Sequence, residues 1–172
     1  TIKVTDTAGN DSNILTIPDF TVDTTAPTIA EVTPISTNTN DTTPSYVFSS
    51  DEAGTITFDF NGTGLTVSTG TSASATNNTV TFNTVSPGTY SGITIKVTDT
   101  AGNDSNILTI PNFTVDTTAP TIAEVTDITT PTNDTTPSYV FSSDEAGTIT
   151  FDFNSTGLTV STGTSASATN NT

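Results

Sequence analysis

The side chains best suited to chemistry in this sequence are carboxylates and amides gathered in turns. Asp51 and Glu52 are adjacent in one turn, the segment DTAGNDS at 99–105 forms another, and Asp23 precedes a Thr-Thr-Ala-Pro joint. The chain has no histidine and no cysteine, which removes imidazole and thiolate ligands and the usual nucleophile–base pairs. Oxygen ligands alone suit hard cations, and Ca²⁺ takes about six to eight of them. These residue types are therefore compatible with calcium as a cofactor, and equally with solvated turns that bind no metal.

Catalysis fits the same residues poorly. Asp51 and Glu52 form a carboxylate pair, but adjacent residues in a turn point apart, whereas glycosidase carboxylates face each other across a substrate. A structural unit of this size also implies no deep cleft. We therefore expect that the protein is not an enzyme.

The net charge limits the classes of partner that the protein could bind. The chain carries 18 acidic and 2 basic residues, for a net charge of −16. Such a surface repels phosphate groups, so we expect no nucleic acid partner and no attraction to anionic membranes. No apolar run approaches the roughly 20 residues of a membrane span, so we expect no direct membrane insertion.

The elements that must position the acids belong to a long internal repeat. The sequence of residues 1–79 is repeated 93 positions later, and only five of the 79 residue pairs differ. A period of this length matches one small β-sandwich domain rather than one turn of a solenoid. We interpret residues 24–116 as one complete module. We expect residues 1–23 to be the last two strands of an upstream module, with Ile2 and Val4 inward, and residues 117–172 the first part of a downstream one.

That interpretation predicts a longer array in which neighbouring modules of the same chain are the main partners. The alternative is an exchange between chains, in which residues 1–23 of one copy complete residues 117–172 of another. We favour the covalent array, because the exchanged composite lacks the strand that matches residues 80–85 and leaves Phe151 and Phe153 partly uncovered.

Composition and alternation predict an all-β fold. Threonine, a β-branched residue that favours strands, occurs 46 times. Short alternating segments separated by turn residues predict about seven strands in a module. These strands are expected at 28–32, 45–49, 55–60, 64–69, 79–85, 90–97 and 107–115. Pro111 requires a bulge or an edge position within the last one. Tyr90 is either a tyrosine corner or an ordinary core residue.

Three motifs carry a resemblance to a known family. VTDTAGN, FTVDTTAPTI and SSDEAGTI together resemble the bacterial immunoglobulin-like modules of large surface adhesins and other secreted repeat proteins. The resemblance covers the whole chain and implies tandem immunoglobulin-like β-sandwiches, secreted to the extracellular side of the bacterial cell surface. It also implies calcium-stabilised joints and a role as a stalk in cell adhesion, and it does not imply an enzyme.

An immunoglobulin-like topology would bring the acidic turns to the pole where the chain enters a module. The set expected there is Asp23, Asp51, Glu52, Asp99, Asn103 and Asp104. The next joint repeats part of it as Asp116, Asp144 and Glu145, and the first segment supplies Asp6, Asn10 and Asp11. The alternative is that all of these are solvated turn residues, since Asp, Asn and Gly are common in turns.

The sequence is compatible with three functions. The first is a structural, adhesive stalk or filament of tandem modules stiffened by calcium at the joints. The second is a laterally assembling surface fibre or sheath, with identical chains as partners. The third is a glycan- or ice-binding module that uses the Thr-rich stretch 66–76 and gains strength from repetition.

Overall fold

Alternating apolar and β-branched residues form strands throughout the chain, as the sequence predicts. The structure is a computed structural model that describes residues 1–161 and 163–172. The described residues contain strands and turns and no helix, so none could cross a membrane as an apolar helix. The chain divides into two compact units, Thr1–Asp116 and Thr117–Thr172.

Residues 24–116 contain eleven short strands, more than the seven predicted. They are β1 (Ile29–Thr33), β2 (Asn38–Thr39), β3 (Ser45–Ser50), β4 (Gly54–Asp59), β5 (Val67–Thr69), β6 (Ser72–Ala73), β7 (Asn77–Phe82), β8 (Gly88–Tyr90), β9 (Thr94–Thr98), β10 (Leu108–Thr109) and β11 (Phe113–Val115). The additional strands are two- or three-residue pairings outside the predicted ranges, or pieces of predicted strands that are interrupted.

Three sheets surround one core. Their strand orders are β1-β3-β7-β5, β10-β9-β4-β6 and β2-β11-β8. Every pairing is antiparallel except that between β11 and β2, which is parallel. This arrangement is consistent with a β-sandwich.

The predicted strand 107–115 is divided in two. β10 pairs with β9, whereas β11 pairs with β2 and β8 in a different sheet. Pro111 lies between the two strands and has no N–H to donate to a ladder, so the chain leaves one sheet there and enters another.

The core follows the period-two alternation of the strands. Tyr46, Phe48, Val80, Phe82 and Val97 have no exposed surface. Other fully or nearly buried members are Ile29, Ile56, Ile93, Ile95, Ile110, Phe113 and Val115. Positions 56, 80, 82, 93, 95 and 97 are buried, as alternation along the predicted strands requires, whereas Phe58 and Phe60 are half-buried and stack on each other with ring centroids 5.2 Å apart.

Tyr90 makes a backbone hydrogen bond of the kind found in tyrosine corners. Its hydroxyl donates to the carbonyl oxygen of Ser86, four residues earlier, at 2.8 Å. Its ring stacks on Phe113 of β11, with ring centroids 5.3 Å apart. The hydroxyl therefore fixes the turn before β8 against the core.

Residues 1–23 form a hairpin whose strand register is the same as that of the β9–β10 hairpin. Ile2 bridges Leu15 and Thr5 bridges Asp11, as Ile95 pairs with Leu108 and Thr98 with Asp104. The apolar side chains of this hairpin are exposed, with 48% exposure at Ile2.

Residues 117–172 repeat the first part of the module. Their strands are β12 (Ile122–Thr126), β13 (Val140–Ser143), β14 (Gly147–Thr148), β15 (Ser165–Ala166) and β16 (Asn170–Asn171). The β12–β13 register, with Ile122 opposite Ser143, is that of β1 and β3, with Ile29 opposite Ser50.

Candidate functional site

Three carboxylates from three separate segments meet beside the segment that precedes β1. Asp23 lies in that joint, Glu52 in the β3–β4 turn and Asp99 in the turn after β9. Each supplies one oxygen to a group whose atoms all lie within 4.8 Å of one another. Like charges this close repel one another unless a cation lies between them.

The turn after β9 is built around the carboxylate of Asp99. Its Oδ1 accepts the backbone N–H groups of Ala101, Gly102 and Asn103 at 2.7–2.8 Å. Gly102 has φ of +97°, a conformation that favours glycine at this place in the turn. The sequence DTAGN therefore closes the turn on its own first residue and fixes the position of that carboxylate.

Asn103 joins the turn to the incoming joint. Its Nδ2 donates to Asp99 Oδ2 at 2.8 Å and to the carbonyl oxygen of Asp23 at 3.1 Å. Asp23 Oδ1 in turn accepts the N–H of Thr25 at 3.0 Å, an Asx turn at the start of the joint. One amide thus holds the joint against the turn that carries Asp99.

Hydrogen bonding keeps Asp99 ionised. The bond from the Asn103 side chain lowers the pKa of Asp99 most, and the bonds from the backbone of Asn103, Gly102 and Ala101 lower it further. Partial burial acts in the opposite direction and is outweighed. Asp99 therefore carries a negative charge while it is only 9% exposed.

Glu52 shows the opposite shift. Partial removal from water raises the pKa of Glu52, and the charges of Asp23, Asp51 and Asp99 raise it further. Its position is set by the tight β3–β4 turn, in which Ser50 Oγ donates to the Glu52 carbonyl oxygen at 2.6 Å. The raised pKa thus reflects removal from water first and the neighbouring carboxylates second.

The donor set fits a hard divalent cation. Carboxylate oxygens converge from three directions, and no imidazole or thiolate is present in the sequence. Asp99 would bind through Oδ2, since Oδ1 already accepts three N–H groups. Backbone carbonyls and water would complete the shell of a Ca²⁺ ion.

Two acids predicted for this pole have other partners. Asp51 Oδ1 accepts the N–H of Thr28 at 2.6 Å, which fastens the segment before β1 to the β3–β4 turn. Asp104 forms an ion pair with Lys96 at 2.6 Å and accepts the hydroxyl of Thr98. The lysine bond and the threonine bond lower the pKa of Asp104.

The other predicted residues repeat parts of this arrangement. Asp6 accepts the N–H groups of Ala8 and Asn10 and the Asn10 side-chain amide, and Asp11 pairs with Lys3 at 2.6 Å. The equivalents of the β3–β4 turn residues in the second unit are Asp144 and Glu145. Asp144 accepts the N–H of Thr121 at 2.7 Å, as Asp51 does from Thr28, and the Glu145 carbonyl accepts Ser143 Oγ. The backbone N–H of Asp116 donates to Thr39 at 2.9 Å.

Sequence reasoning missed one positioning residue, Asn106. Its amide accepts the N–H of Ile29 and donates to the Ile29 carbonyl oxygen, both at 2.9 Å. This double contact fixes the start of β1 next to the hairpin that carries Asp99. The signal was present as an asparagine three residues beyond Asn103 in DTAGNDSN, but nothing in the spacing identifies its partner.

No protein-family model, no curated protein and no solved structure matches this chain.

Proposed function

We propose that this chain is a structural, adhesive protein of the extracellular bacterial surface, a stalk or filament of tandem immunoglobulin-like modules. Calcium binds where the joint meets the module and holds the joint in one orientation. The protein has no catalytic role in this proposal.

The convergence of Asp23, Glu52 and Asp99 carries this proposal. The three residues come from the joint and from two turns of the module, so a cation bound to all three would fasten the joint to the module. An ion in the interior of a sandwich would only stabilise the fold, whereas one at the joint also limits bending.

The near identity of the repeats supports a mechanical role. Five differences in 79 repeated pairs leave little difference in surface between the repeats. In a stalk, length depends on the number of modules and not on individual surfaces. The buried core of residues 24–116 and the backbone hydrogen bond of the Tyr90 hydroxyl favour an immunoglobulin-like module as the repeated unit.

A matched pair of substitutions tests the calcium site. Asp99→Asn removes a ligand beside Glu52, whereas Asp6→Asn makes the same change 93 residues earlier, in a hairpin where the described residues place no glutamate beside the turn. Calcium stabilises a folded state that binds it, so it should raise the Tm of the parent chain in scanning calorimetry. We expect Asp99→Asn to lose most of this rise and Asp6→Asn to retain it.

Both substitutions weaken the same Asp–Asn turn, so the pair separates metal binding from turn stability. A parent Tm that does not respond to millimolar calcium would contradict the proposal. An equal calcium response in both variants would show that Asp99 does not bind the ion.

A further inference from the structure

The turn after β4 contains a pair of residues that can react with each other. Asn61 is the only asparagine in the sequence that is followed by glycine. Both residues are exposed, and they connect β4 to the segment that leads to Leu65. An asparagine side chain can be attacked by the backbone nitrogen of the next residue, and glycine obstructs that nitrogen least because it has no side chain.

The turn leaves the attacking nitrogen free. Asn61 and Gly62 have φ of +49° and +70°, as the two central residues of a type I′ turn do. The N–H of Thr63 donates to the carbonyl oxygen of Phe60 at 2.9 Å and closes the turn. Among the described residues none accepts the N–H of Gly62. An added Cβ at Gly62 meets no atom within 4 Å, so the space beside this nitrogen is open.

The side-chain amide of Asn61 is held more weakly than the amides of two asparagines in other turns of the module. Its Nδ2 donates once, to the carbonyl oxygen of Ser91 at 3.4 Å. Asn78 Nδ2 donates twice, at 2.8 and 3.0 Å, and Asn103 Nδ2 also donates twice, at 2.8 and 3.1 Å. The Asn61 side chain can therefore turn towards the nitrogen of Gly62 without breaking a core interaction.

We propose that Asn61–Gly62 is a self-modifying site, at which Asn61 deamidates without an enzyme. The backbone nitrogen of Gly62 attacks Asn61 Cγ, the bond from Cγ to Nδ2 breaks, and Nδ2 leaves as ammonia with the proton that the nitrogen of Gly62 has lost. The succinimide that forms then takes up one water. Opening at Cγ gives aspartate, and opening at the main-chain carbonyl carbon gives isoaspartate.

The two products differ in their effect on the turn. Aspartate tolerates positive φ as asparagine does, so it adds a negative charge and keeps the turn. Isoaspartate adds a methylene to the main chain between Phe60 and Thr63, so the hydrogen bond between these residues loses its geometry. Leu65 is buried and follows directly after this turn. Isoaspartate therefore loosens the connection between β4 and the core.

The repeated sequence places this reaction in one copy of the turn and not equally in the next. The equivalent pair at 154–155 is Asn-Ser, one of the five differences between the repeats. Ser155 has φ of +62°, so the turn accommodates serine, but the serine side chain obstructs the nitrogen beside it. Repeats of nearly identical sequence thus acquire charge at different rates as the protein ages.

Ageing of the purified chain, followed by peptide mapping with mass spectrometry, tests the site. We expect the amide-to-acid conversion to occur at Asn61 before any other asparagine, with isoaspartate among the products. The rate should rise with pH above neutral, because the attack needs the deprotonated nitrogen. Gly62→Ser introduces the residue that the repeat itself has at position 155, and it should slow the conversion at least about tenfold.

The same ageing in concentrated urea separates the chemistry of the pair from the influence of the fold. We expect Asn61 to convert at comparable rates in the folded and the unfolded chain, because the turn is exposed and the nitrogen of Gly62 has no partner. Conversion in urea alone would overturn the proposal, since the fold would then protect the site. Equal rates in the parent and in Gly62→Ser, or earlier conversion at another asparagine of the folded chain, would do the same.

Discussion

At the scale of single residues, Glu52 and Asp99 have pKa values shifted in opposite directions. The pKa of Glu52 is raised above the usual 4.5, so without a cation its ionised form is disfavoured in the folded state. Stability linked to this group is complete below 4.5 and is lost as pH rises through the folded pKa. Asp99 behaves in the opposite way, because its lowered pKa stabilises the fold above 3.8 and fails only below that value.

Glu52→Gln should therefore change the pH response above 4.5. In chelator, we expect the parent Tm to gain more than the variant Tm as pH falls from 7 towards 4.5, because only the parent relieves the repulsion at Glu52. At pH 7 the variant should be at least as stable as the parent without calcium, and it should gain less from added calcium. Glu145→Gln is the control, at the same position of the repeat. Scanning calorimetry in which the two variants shift alike would show that the effect is not specific to this cluster.

The sequence identifies the acidic turns, but it does not determine where each carboxylate points. The DTAGND pattern predicts that Asp99 starts a turn and that Asn103 is close to it, and both are so placed. The pattern does not show that Asp99 joins the carboxylate cluster whereas Asp104 does not. That difference arises because Asp104 bridges Thr98 across the hairpin and pairs with Lys96, two contacts that depend on which β9 side chains face outward.

At the scale of the elements, one asparagine connects β1 to the β9–β10 hairpin. Asn106 makes two partly buried hydrogen bonds to the backbone of Ile29. Asn106→Ala leaves that N–H and C=O without partners, so we expect a loss of about 1–3 kcal/mol in the free energy of unfolding. Asn13→Ala is the matched control, since it is the same position of the repeat in the exposed 1–23 hairpin. Urea unfolding that gives equal losses for both variants would contradict this role.

The close approach of β4 to β9 at Gly54 leaves no room for a larger residue. A methyl group at Gly54 would collide with the backbone oxygen of Thr98, which is part of a paired strand and has little freedom to move. We expect Gly54→Ala to destabilise residues 24–116 by about 1–3 kcal/mol. Chemical unfolding should detect this as a lower midpoint with an unchanged slope. A midpoint equal to that of the parent would mean that β4 and β9 are further apart than described.

The strand alternation was predictable, whereas the sheet exchange at Pro111 was not. Positions 56, 80, 82, 95 and 97 face the core because period two fixes their side. Pro111 signals an interruption, but the sheet that β11 joins depends on β2 and β8, two pairings of only two and three residues. Such short pairings have no periodicity of their own and follow from packing of the complete module.

At the scale of the whole molecule, the acidic charge and the repeated joint act together. A chain with net charge −16 repels itself, and Asp23, Glu52 and Asp99 add a cluster of carboxylates beside the joint that precedes β1. A cation bound there, as we propose, would remove that local repulsion without contributing to the apolar core. Chelation should therefore loosen the joints more than it destabilises the folded modules.

A tandem array of three copies of residues 24–116 makes this difference measurable. We expect small-angle scattering to give a shorter maximum dimension in chelator than in calcium, because joints without the cation bend, while scanning calorimetry shows a smaller relative change in module stability. Asp116 ends the first copy and takes the position of Asp23 at the joint that follows, so Asp116→Ala in that copy should loosen one joint and give an intermediate dimension in calcium. A maximum dimension that does not change on chelation would rule out calcium as the element that aligns the modules.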